Sequence, residues 1–328
     1  MPGAKERELR RRIGSIGSTK KITRAMELIA ATRVVKAMQR AQAASPYSKL
    51  ITSVIEDLAS AGVQVEHPLM RQASTVGNVG IIVIAGDRGL AGPYNTSIMR
   101  SAERRLMSHR SEGRNYSLFC VGRKSARYFR FRNYRVDFAV SGFSDNPSYD
   151  DARRIAEAVQ ESFVSEETDQ IELIYTEFLS MGVQQVVVVR RFLPLVEFDT
   201  IATEHVPHSR PSAKVEAAEY EFEPSADAVL TALLPRYIEA RLYGALLEAA
   251  ASEHANRQSA MKAATDNAAE LITNLTREMN QARQDSVTAE IMEIVGGAEA
   301  LSHAQGEKRN DAHMQIMFEN IQQIEQQN

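Results

Sequence analysis

Cysteine and tryptophan are scarce in this sequence of 328 residues, which has one cysteine and no tryptophan. A single cysteine, Cys120, cannot form an internal disulfide and is typical of a reducing compartment. It lies in an apolar, strand-like segment with no histidine nearby, so we interpret it as a buried structural residue and not as a reactive thiol. The sequence therefore indicates neither a disulfide scaffold nor thiol chemistry.

Long apolar runs are also missing. The longest, at residues 79–85 and 186–189, fall far short of the roughly 20 residues that a membrane-spanning helix needs. No apolar segment with a small-residue cleavage site opens the chain, so we predict neither a signal peptide nor a transit peptide. We expect a cytosolic chain that touches a membrane only through a partner, without direct membrane insertion.

Clusters of catalytic or metal-binding residues are missing as well. The histidines with the closest spacing, His205 and His208, have no supporting cysteine, so we predict no metal site. No serine lies in a G-x-S-x-G elbow, and no cysteine–histidine pair is indicated. We therefore predict a protein without catalytic residues and without a cofactor.

One glycine-rich turn has the context of a phosphate-binding loop. Residues 86–92 read GDRGLAG, and they follow a strand-like segment and precede a helical one, where backbone amides can bind phosphate. The turn lacks both the Gly-Lys-Ser/Thr ending and the G-x-G-x-x-G spacing of the common nucleotide-binding motifs. We interpret it as a tight turn in which glycine relieves strain, with Asp87 and Arg88 paired with each other or with a neighbour.

Positive charge is concentrated at the start of the chain. Residues 1–50 contain twelve lysines and arginines against three glutamates, a net charge of +9 in a chain whose total is −3. A basic block of this density indicates an acidic partner, and nucleic acid, anionic lipid and an acidic protein loop all fit. A solvated helix face is the alternative.

Both ends of the chain predict long helices. Residues 18–45 and 245–295 contain neither glycine nor proline, and the second stretch alone would form a helix of about 75 Å. Apolar residues recur there at spacings of three and four, which predicts a seam between two paired helices, running antiparallel because they come from opposite ends of the chain. The predicted seam residues are Leu9, Ile13, Ile16, Ile22, Met26, Ile29, Val34, Met38 and Ala41 in the first helix and Met261, Ala264, Ala268, Leu271, Leu275, Val287, Ile291, Ile294, Ala298 and Leu301 in the second. Pro46 predicts a kink or a stop in the first helix.

The middle of the chain has a different pattern. Strand-like segments alternate with helical ones, which predicts an α/β domain with a largely parallel sheet. The predicted strands are residues 79–85, 117–121, 171–178 and 185–194, and the predicted helices are residues 95–109, 123–132 and 149–164. We divide the chain into an N-terminal coiled-coil helix (1–62), the central α/β domain (77–200), an exposed loop (201–223), a C-terminal coiled-coil helix (224–301) and an additional tail (302–328).

Several motifs are more specific than these patterns. Residues 19–27 read TKKITRAME, residues 260–268 read AMKAATDNA and residues 288–298 read TAEIMEIVGGA. In this order and separation, they closely resemble the signatures of the γ subunit of F-type ATP synthases, and the turn at 86–90 (GDRGL) resembles its central domain. The resemblance covers about residues 3–301.

The resemblance implies a non-catalytic rotor shaft. Its coiled coil would turn inside a ring of three α and three β subunits, and its α/β domain would stand on the membrane c-ring, with an ε subunit as a further partner. Rotation would couple proton or sodium flow to ATP synthesis at sites on the α and β subunits. The chain would then be a peripheral protein on the cytoplasmic face of a bacterial cell membrane, without nucleic acid as a partner.

The resemblance also implies specific contact residues. Met26 matches the contact between the shaft and β, and Arg283, Gln284, Thr288 and Glu290 match the part of the C-terminal helix that meets a catch loop of β. Acidic β loops would also be the partner of the basic first helix. For each residue the alternative is an ordinary seam or solvated helix position.

Two departures from the family pattern are visible. Ala91 stands where the family usually has a cysteine, and no extra cysteine pair is present, so a bacterial form is favoured over the redox-regulated plastid form. Residues 302–328 extend beyond the usual end of the family. In this tail Met314, Met317, Ile321 and Ile324 recur at spacings of three and four, which predicts a short amphipathic helix after Gly306. It would either dock at the top of the ring or form a frayed extension without a role.

Two other functions remain open at this point. One is a coiled-coil protein that binds nucleic acid through its basic N-terminal helix, and the other is a scaffold without a moving role. The basic residues are spread around the helix and lack interleaved aromatic residues. This distribution argues against nucleic-acid binding.

Overall fold

The computed structural model describes residues 4–60, 67–180, 185–195 and 225–325. In these ranges the chain forms five α-helices and five β-strands, with a short 3-10 helix at Pro68–Met70. In chain order the elements are α1 (Ala4–Ser60), β1 (Asn78–Ile84), α2 (Tyr94–Ser111), β2 (Asn115–Val121), α3 (Arg123–Phe131), β3 (Phe138–Val140), α4 (Tyr149–Val164), β4 (Gln170–Glu177), β5 (Val186–Leu193) and α5 (Ala226–Glu325). The chain forms two compact units. The terminal unit consists of the residues up to Ile22 and from Thr265 onward, and the central unit consists of Thr23–Ala264.

The central unit contains a five-stranded sheet in the order β3-β2-β1-β4-β5. Strand β1 is parallel to β2 and β4, and β2 is parallel to β3, whereas the edge strand β5 is antiparallel to β4. Six of the seven residues of β1 are buried, because a parallel strand at the centre of a sheet is covered on both faces. The predicted α/β domain with a largely parallel sheet is confirmed.

Helices cover both faces of this sheet. Successive side chains of a strand point to opposite faces, so β1 contributes to two separate cores. One core lies under α4, the end of α1 and the start of α5, and it includes Ile55, Ile82, Ile84, Ile155 and Leu242. The other lies under α2 and α3, and it includes Ile81, Val83, Ile98, Cys120 and Phe129.

Cys120 has the structural role that the sequence predicts. It is fully buried in β2. Burial raises the pKa of its thiol to about 12, so the thiol stays protonated at neutral pH.

Most predicted segments coincide with observed elements within a few residues. Helix α4 begins at Tyr149 as predicted because Ser148 caps it: the Ser148 hydroxyl accepts the Asp151 N–H at 3.2 Å, and the Asp151 carboxylate accepts the Ser148 N–H at 3.0 Å. Strand β3 was not predicted, since its three residues are too few to show a period. Pro46 does not stop α1, which continues to Ser60.

Each compact unit contains a part of both long helices. The terminal unit holds the first part of α1 and the later part of α5, whereas the central unit holds the end of α1 and the start of α5. The antiparallel direction predicted for the coiled coil stays a prediction.

The covered side of α1 follows a strict three–four repeat that differs from the predicted seam. Buried and half-buried positions recur at Leu9, Ile13, Ile16, Lys20, Thr23, Glu27, Ala30, Val34, Ala37, Ala41, Ala44, Ser48, Ile51 and Ile55. The predicted seam residues Ile22 and Ile29 are instead 60% and 55% exposed. The prediction is wrong there because the repeat passes through polar and small residues between Lys20 and Ala30, so that the large apolar residues lie beside the seam.

Helix α5 has the same kind of repeat. Buried and half-buried positions recur at Met261, Thr265, Ala268, Ile272, Leu275, Met279, Ala282 and Ser286. Met261, Ala268 and Leu275 are confirmed as seam residues, but Leu271 is 51% exposed. The prediction is therefore wrong at Leu271. It is also wrong at Ala264, since the neighbouring Thr265 is more buried. The reason is that the repeat takes a polar residue at one of its seam positions.

Helix α5 does not end near residue 301. Its backbone continues through Gly306 to Glu325, so the helix predicted for the tail is present as a continuation of α5 and not as a separate element. The predicted domain boundaries and the docking of the tail stay predictions. The loop predicted at 201–223 lies outside the described residues.

Candidate functional site

An exposed apolar row runs along α5 in the terminal unit. Val287, Ile291, Ile294 and Leu301 recur at helical spacing, and Ile294 is 72% exposed. The prediction that they lie in a seam with α1 is therefore wrong. The terminal unit contains residues 4–22 of α1 but residues 265–325 of α5, and so short a partner covers only a fraction of the longer helix.

The predicted contact residues of α5 lie beside this row. Arg283, Gln284, Thr288 and Glu290 are all exposed. At 100° per residue, Arg283 and Glu290 lie on one side of Val287, whereas Gln284 and Thr288 lie on the other side, near Ile291. The structure therefore brings these four residues together around an apolar centre, an arrangement typical of a surface that another protein covers.

Met26 lies in the central unit and is half-buried in α1. Its neighbour one turn later, Ile29, is exposed. This position is consistent with a partner contact at the edge of the seam, and the contact itself stays a prediction.

The basic residues at the start of α1 are largely turned to solvent. Arg7, Arg11 and Arg12 are exposed. The ion pairs formed within the helix, such as Arg10 to Glu6 at 3.0 Å, join residues one turn apart. Three glutamates balance only three of the twelve lysines and arginines of residues 1–50, so the segment keeps a net positive charge and presents a positive surface.

The turn at 86–92 is a structural joint. Asp87 does not pair with Arg88; its carboxylate accepts the backbone N–H groups of Arg123, Gly142 and Ser144 at 2.7–3.1 Å. The Gly86 N–H donates to the Asn95 side chain at 2.8 Å. The N–H groups of Gly86 and Asp87, which open the turn, are thus used inside the domain. This use supports the interpretation as a tight turn.

A polar chain that is half-exposed at Arg33 and buried at Glu253, His254 and Arg257 ties the long helices to this turn. Arg33 of α1 forms an ion pair of 2.5 Å with Asp145, whose carbonyl oxygen lies 3.1 Å from Nε2 of His254 in α5. The Arg257 guanidinium lies 3.1 Å from Nδ1 of His254 and also pairs with Glu253. Because arginine can only donate, Nδ1 of His254 is the acceptor and Nε2 carries the proton. His254 is therefore neutral.

A glycine is needed at position 86, where the polar chain meets the turn. A Cβ atom at Gly86 would lie 2.9 Å from the carboxylate of Glu253. Burial raises the pKa of Glu253, and the charge of Arg257 opposes this rise. The sequence did not reveal this polar chain, because Arg33, Asp145 and the group on α5 are each separated by more than a hundred positions and no local pattern links them.

The polar chain predicts a specific pH dependence. Burial lowers the pKa of His254 below its ordinary value of 6.5, so the unfolded state takes up a proton at a higher pH than the folded state does. The contribution of His254 to stability is therefore complete above pH 6.5 and is lost as the pH falls through that value towards the folded pKa. We expect the melting temperature of the wild type to fall more between about pH 7.5 and 5.5 than that of His254→Gln, whose amide can keep both hydrogen bonds without titrating. Equal pH dependence of the two proteins would contradict the assignment.

The described residues show no membrane-crossing helix and no metal cluster. None of the helices within them combines the length and apolar character that a membrane span requires. No group of three or more His, Cys, Asp or Glu within them is placed to hold a metal ion.

Comparisons with known proteins cover nearly the whole chain. The family model described as ATP synthase matches residues 5–301. The ATP synthase gamma chain of Frankia casuarinae is 48% identical over 300 residues, which are 90% of this chain and 97% of that protein. The ATP synthase gamma chain of a Nocardioides species is 47% identical over 303 residues, 91% of this chain and 97% of that protein.

Solved structures have the same fold. The central stalk and c-ring structure of the mitochondrial ATP synthase of Tetrahymena thermophila includes a chain that is 25% identical, with a TM-score of 0.54 over 74% of this chain and 99% of that chain. A chain of the Euglena gracilis mitochondrial ATP synthase is 15% identical, with a TM-score of 0.59 over 92% of this chain and 95% of that chain. At that identity the second likeness shows the fold alone.

Proposed function

Because the chain belongs to the ATP synthase gamma-chain family, we propose that it is the central rotor shaft of a bacterial F-type ATP synthase. The observation that carries this proposal is the 48% identity that extends across 97% of a gamma chain. In this role the chain couples proton or sodium flow through the membrane rotor to ATP synthesis by rotation.

The terminal unit is the part that turns among the partner subunits. Its exposed apolar row and the flanking Arg283, Gln284, Thr288 and Glu290 support a contact with β, and Met26 supports a second contact on α1. Three α and three β subunits form the surrounding ring, with acidic loops of β facing the basic start of α1. The apolar row then slides over a surface instead of facing water.

Catalysis belongs to the partners, and this chain controls it through shape. A shaft with different faces favours a different conformation in each β subunit, and rotation moves that preference around the ring. The ionisable groups at the turn of residues 86–92, the half-buried Asp87 and the buried Glu253 and His254, are engaged in structural contacts. This use supports a non-catalytic subunit.

The central unit is the foot of the shaft. It contacts the membrane c-ring and the ε subunit, which places the chain peripherally on the cytoplasmic face of the cell membrane. The polar chain from Arg33 to Arg257 supports this role, since it ties both helices to the sheet so that they turn together.

Reconstitution tests the proposal. The purified chain should hydrolyse no ATP, whereas its addition to α and β subunits should raise their steady ATP turnover severalfold, because only an asymmetric shaft makes the β sites alternate. The same chain truncated after Ala264 lacks the later part of α5 and is the control, which should not stimulate. ATP hydrolysis by the chain alone, or equal stimulation by the truncated chain, would refute the proposal.

A covalent lock separates a rotor from a scaffold. Cys120 is buried, so Thr288→Cys supplies an accessible thiol at an exposed position of α5. A disulfide from this thiol to a cysteine in the facing β loop should stop ATP turnover, and reduction should restore it. A static scaffold would keep its activity when locked. Copurification of the chain with nucleic acid instead of α and β would favour the nucleic-acid alternative.

A further inference from the structure

The outward face of α3 carries positive charge along its whole length. Arg123, Arg127 and Arg130 are exposed and lie within about 60° of one another on the helix. Another face of the helix, with Ala126 and Phe129, packs into the core of the domain. Residues 123–135 contain six lysines and arginines and no acidic residue. The segment is therefore a compact basic surface and not a mixed, solvated one.

An aromatic side chain lies beside these charges. Phe131, the last residue of α3, is 84% exposed. The core beneath is already filled by Phe129, which is fully buried. The Phe131 side chain therefore contributes little to the core of the domain. Exposed aromatic residues next to arginine are the usual anchors of protein interfaces.

Two nearby arginines, in contrast, form ion pairs within the domain. Arg132 binds the Glu103 carboxylate through Nε at 3.1 Å and Nη2 at 2.6 Å, and Arg135 pairs with Asp137 at 2.8 Å. Arg127 and Arg130 form no ion pair within the part of the chain that the structure describes. Their charges are available to a partner.

We propose that the outward face of α3, formed by Arg123, Arg127, Arg130 and Phe131, is a docking surface for an acidic segment of another subunit of the assembly. The inference rests on the proposed function and extends it to a surface outside the long helices. Carboxylates would pair with the guanidinium groups, and an apolar side chain between them would cover Phe131.

The composition of the surface favours a protein partner. All three exposed cations of this face are arginines, whose planar guanidinium matches a carboxylate with two parallel hydrogen bonds. An anionic bilayer would attract a broader polybasic surface, and the net charge of −3 for the whole chain opposes adsorption to it. One aromatic side chain provides no platform for successive bases of a nucleic acid.

Site-specific photocrosslinking in the assembled enzyme tests this surface. Phe131 is replaced by p-benzoylphenylalanine, the whole complex is purified and irradiated, and the crosslinked peptide is identified by mass spectrometry. We expect a crosslink to a segment of another subunit that contains Asp or Glu next to an apolar residue. Adding Arg127→Glu and Arg130→Glu should lower its yield about tenfold, the equivalent of one lost pair of charge-assisted hydrogen bonds.

A matched control changes the same charge on the other side of the domain. Arg153 and Arg236 lie on α4 and α5, and their exposed guanidinium groups border a different cavity. Arg153→Glu with Arg236→Glu should leave the crosslink yield unchanged.

The result also distinguishes this inference from the proposed function. If the chain failed to assemble with α and β, the function itself would be refuted. If the complex assembled and turned over ATP, but Phe131 crosslinked only to lipid, to nucleic acid or to the same chain, the docking surface alone would be refuted. An unchanged yield after the charge reversal would refute it as well.

Discussion

Gly122→Ala should remove most of the stability of the α/β domain. Gly122 follows β2 with a φ angle of 92°, and a Cβ atom there would lie 2.0 Å from the carbonyl oxygen of Ala85. That carbonyl directly follows the central strand β1, and the Gly122 N–H donates a hydrogen bond of 2.8 Å to the Val140 carbonyl oxygen. Neither backbone segment can therefore move without disturbing the sheet. We expect a loss of more than about 4 kcal/mol in the free energy of unfolding, measured by chemical denaturation.

Gly113→Ala is the control for this variant. Gly113 also has a positive φ angle, 76°, but a Cβ atom there would meet nothing within 4 Å. The left-handed backbone alone should cost about 1–2 kcal/mol. Similar losses for both variants would contradict the close approach of the strand ends at Gly122.

Leu275→Asp should separate the helices of the terminal unit. Leu275 is 8% exposed and lies in the repeat of buried positions on α5. A carboxylate at this position would be buried without a partner, which together with the lost apolar contacts should cost about 3–5 kcal/mol. Hydrogen exchange of the amides of α5 near residue 275 would measure the loss locally.

Leu271→Asp is the matched comparison one turn earlier. Leu271 is the same residue type, but it is 51% exposed. The substitution should change stability by no more than about 0.5 kcal/mol, because surface positions away from special contacts are tolerant. If Leu271→Asp were as harmful as Leu275→Asp, the seam would follow the large apolar residues after all.

This difference between two leucines shows where sequence reasoning fails. A seam predicted from large apolar residues includes Leu271 and Ile29, whereas the observed repeat takes Thr265 and Glu27. Periodicity reports which residues are apolar, and a coiled coil with a small or polar side chain at some seam positions hides its register from that signal.

Local signals predicted the α/β domain much better. The apolar run of β1 is long and bounded by a turn, and the capping box at Ser148 fixes the start of α4. The polar chain through Arg33, Asp145 and His254 has no such signal, because its partners meet only in the folded chain. The predicted contact residues Met26, Arg283, Gln284, Thr288 and Glu290 came from motif resemblance alone. The four residues on α5 are exposed and Met26 is half-buried, and the contacts themselves stay predictions.

The terminal unit is built from both ends of the chain, which has a consequence for biosynthesis. The part of α1 in this unit ends at Ile22, and the part of α5 begins at Thr265. The ribosome must therefore add roughly 240 residues between them, which takes on the order of 10–50 s at ordinary elongation rates. During that interval the newly made basic helix has no seam partner and is exposed to chaperones and to nucleic acid on the ribosome surface. The α/β domain can pair β1 with β2 long before, so the nascent chain is held in a half-assembled state until roughly its last fifth, from Thr265 onward, has emerged.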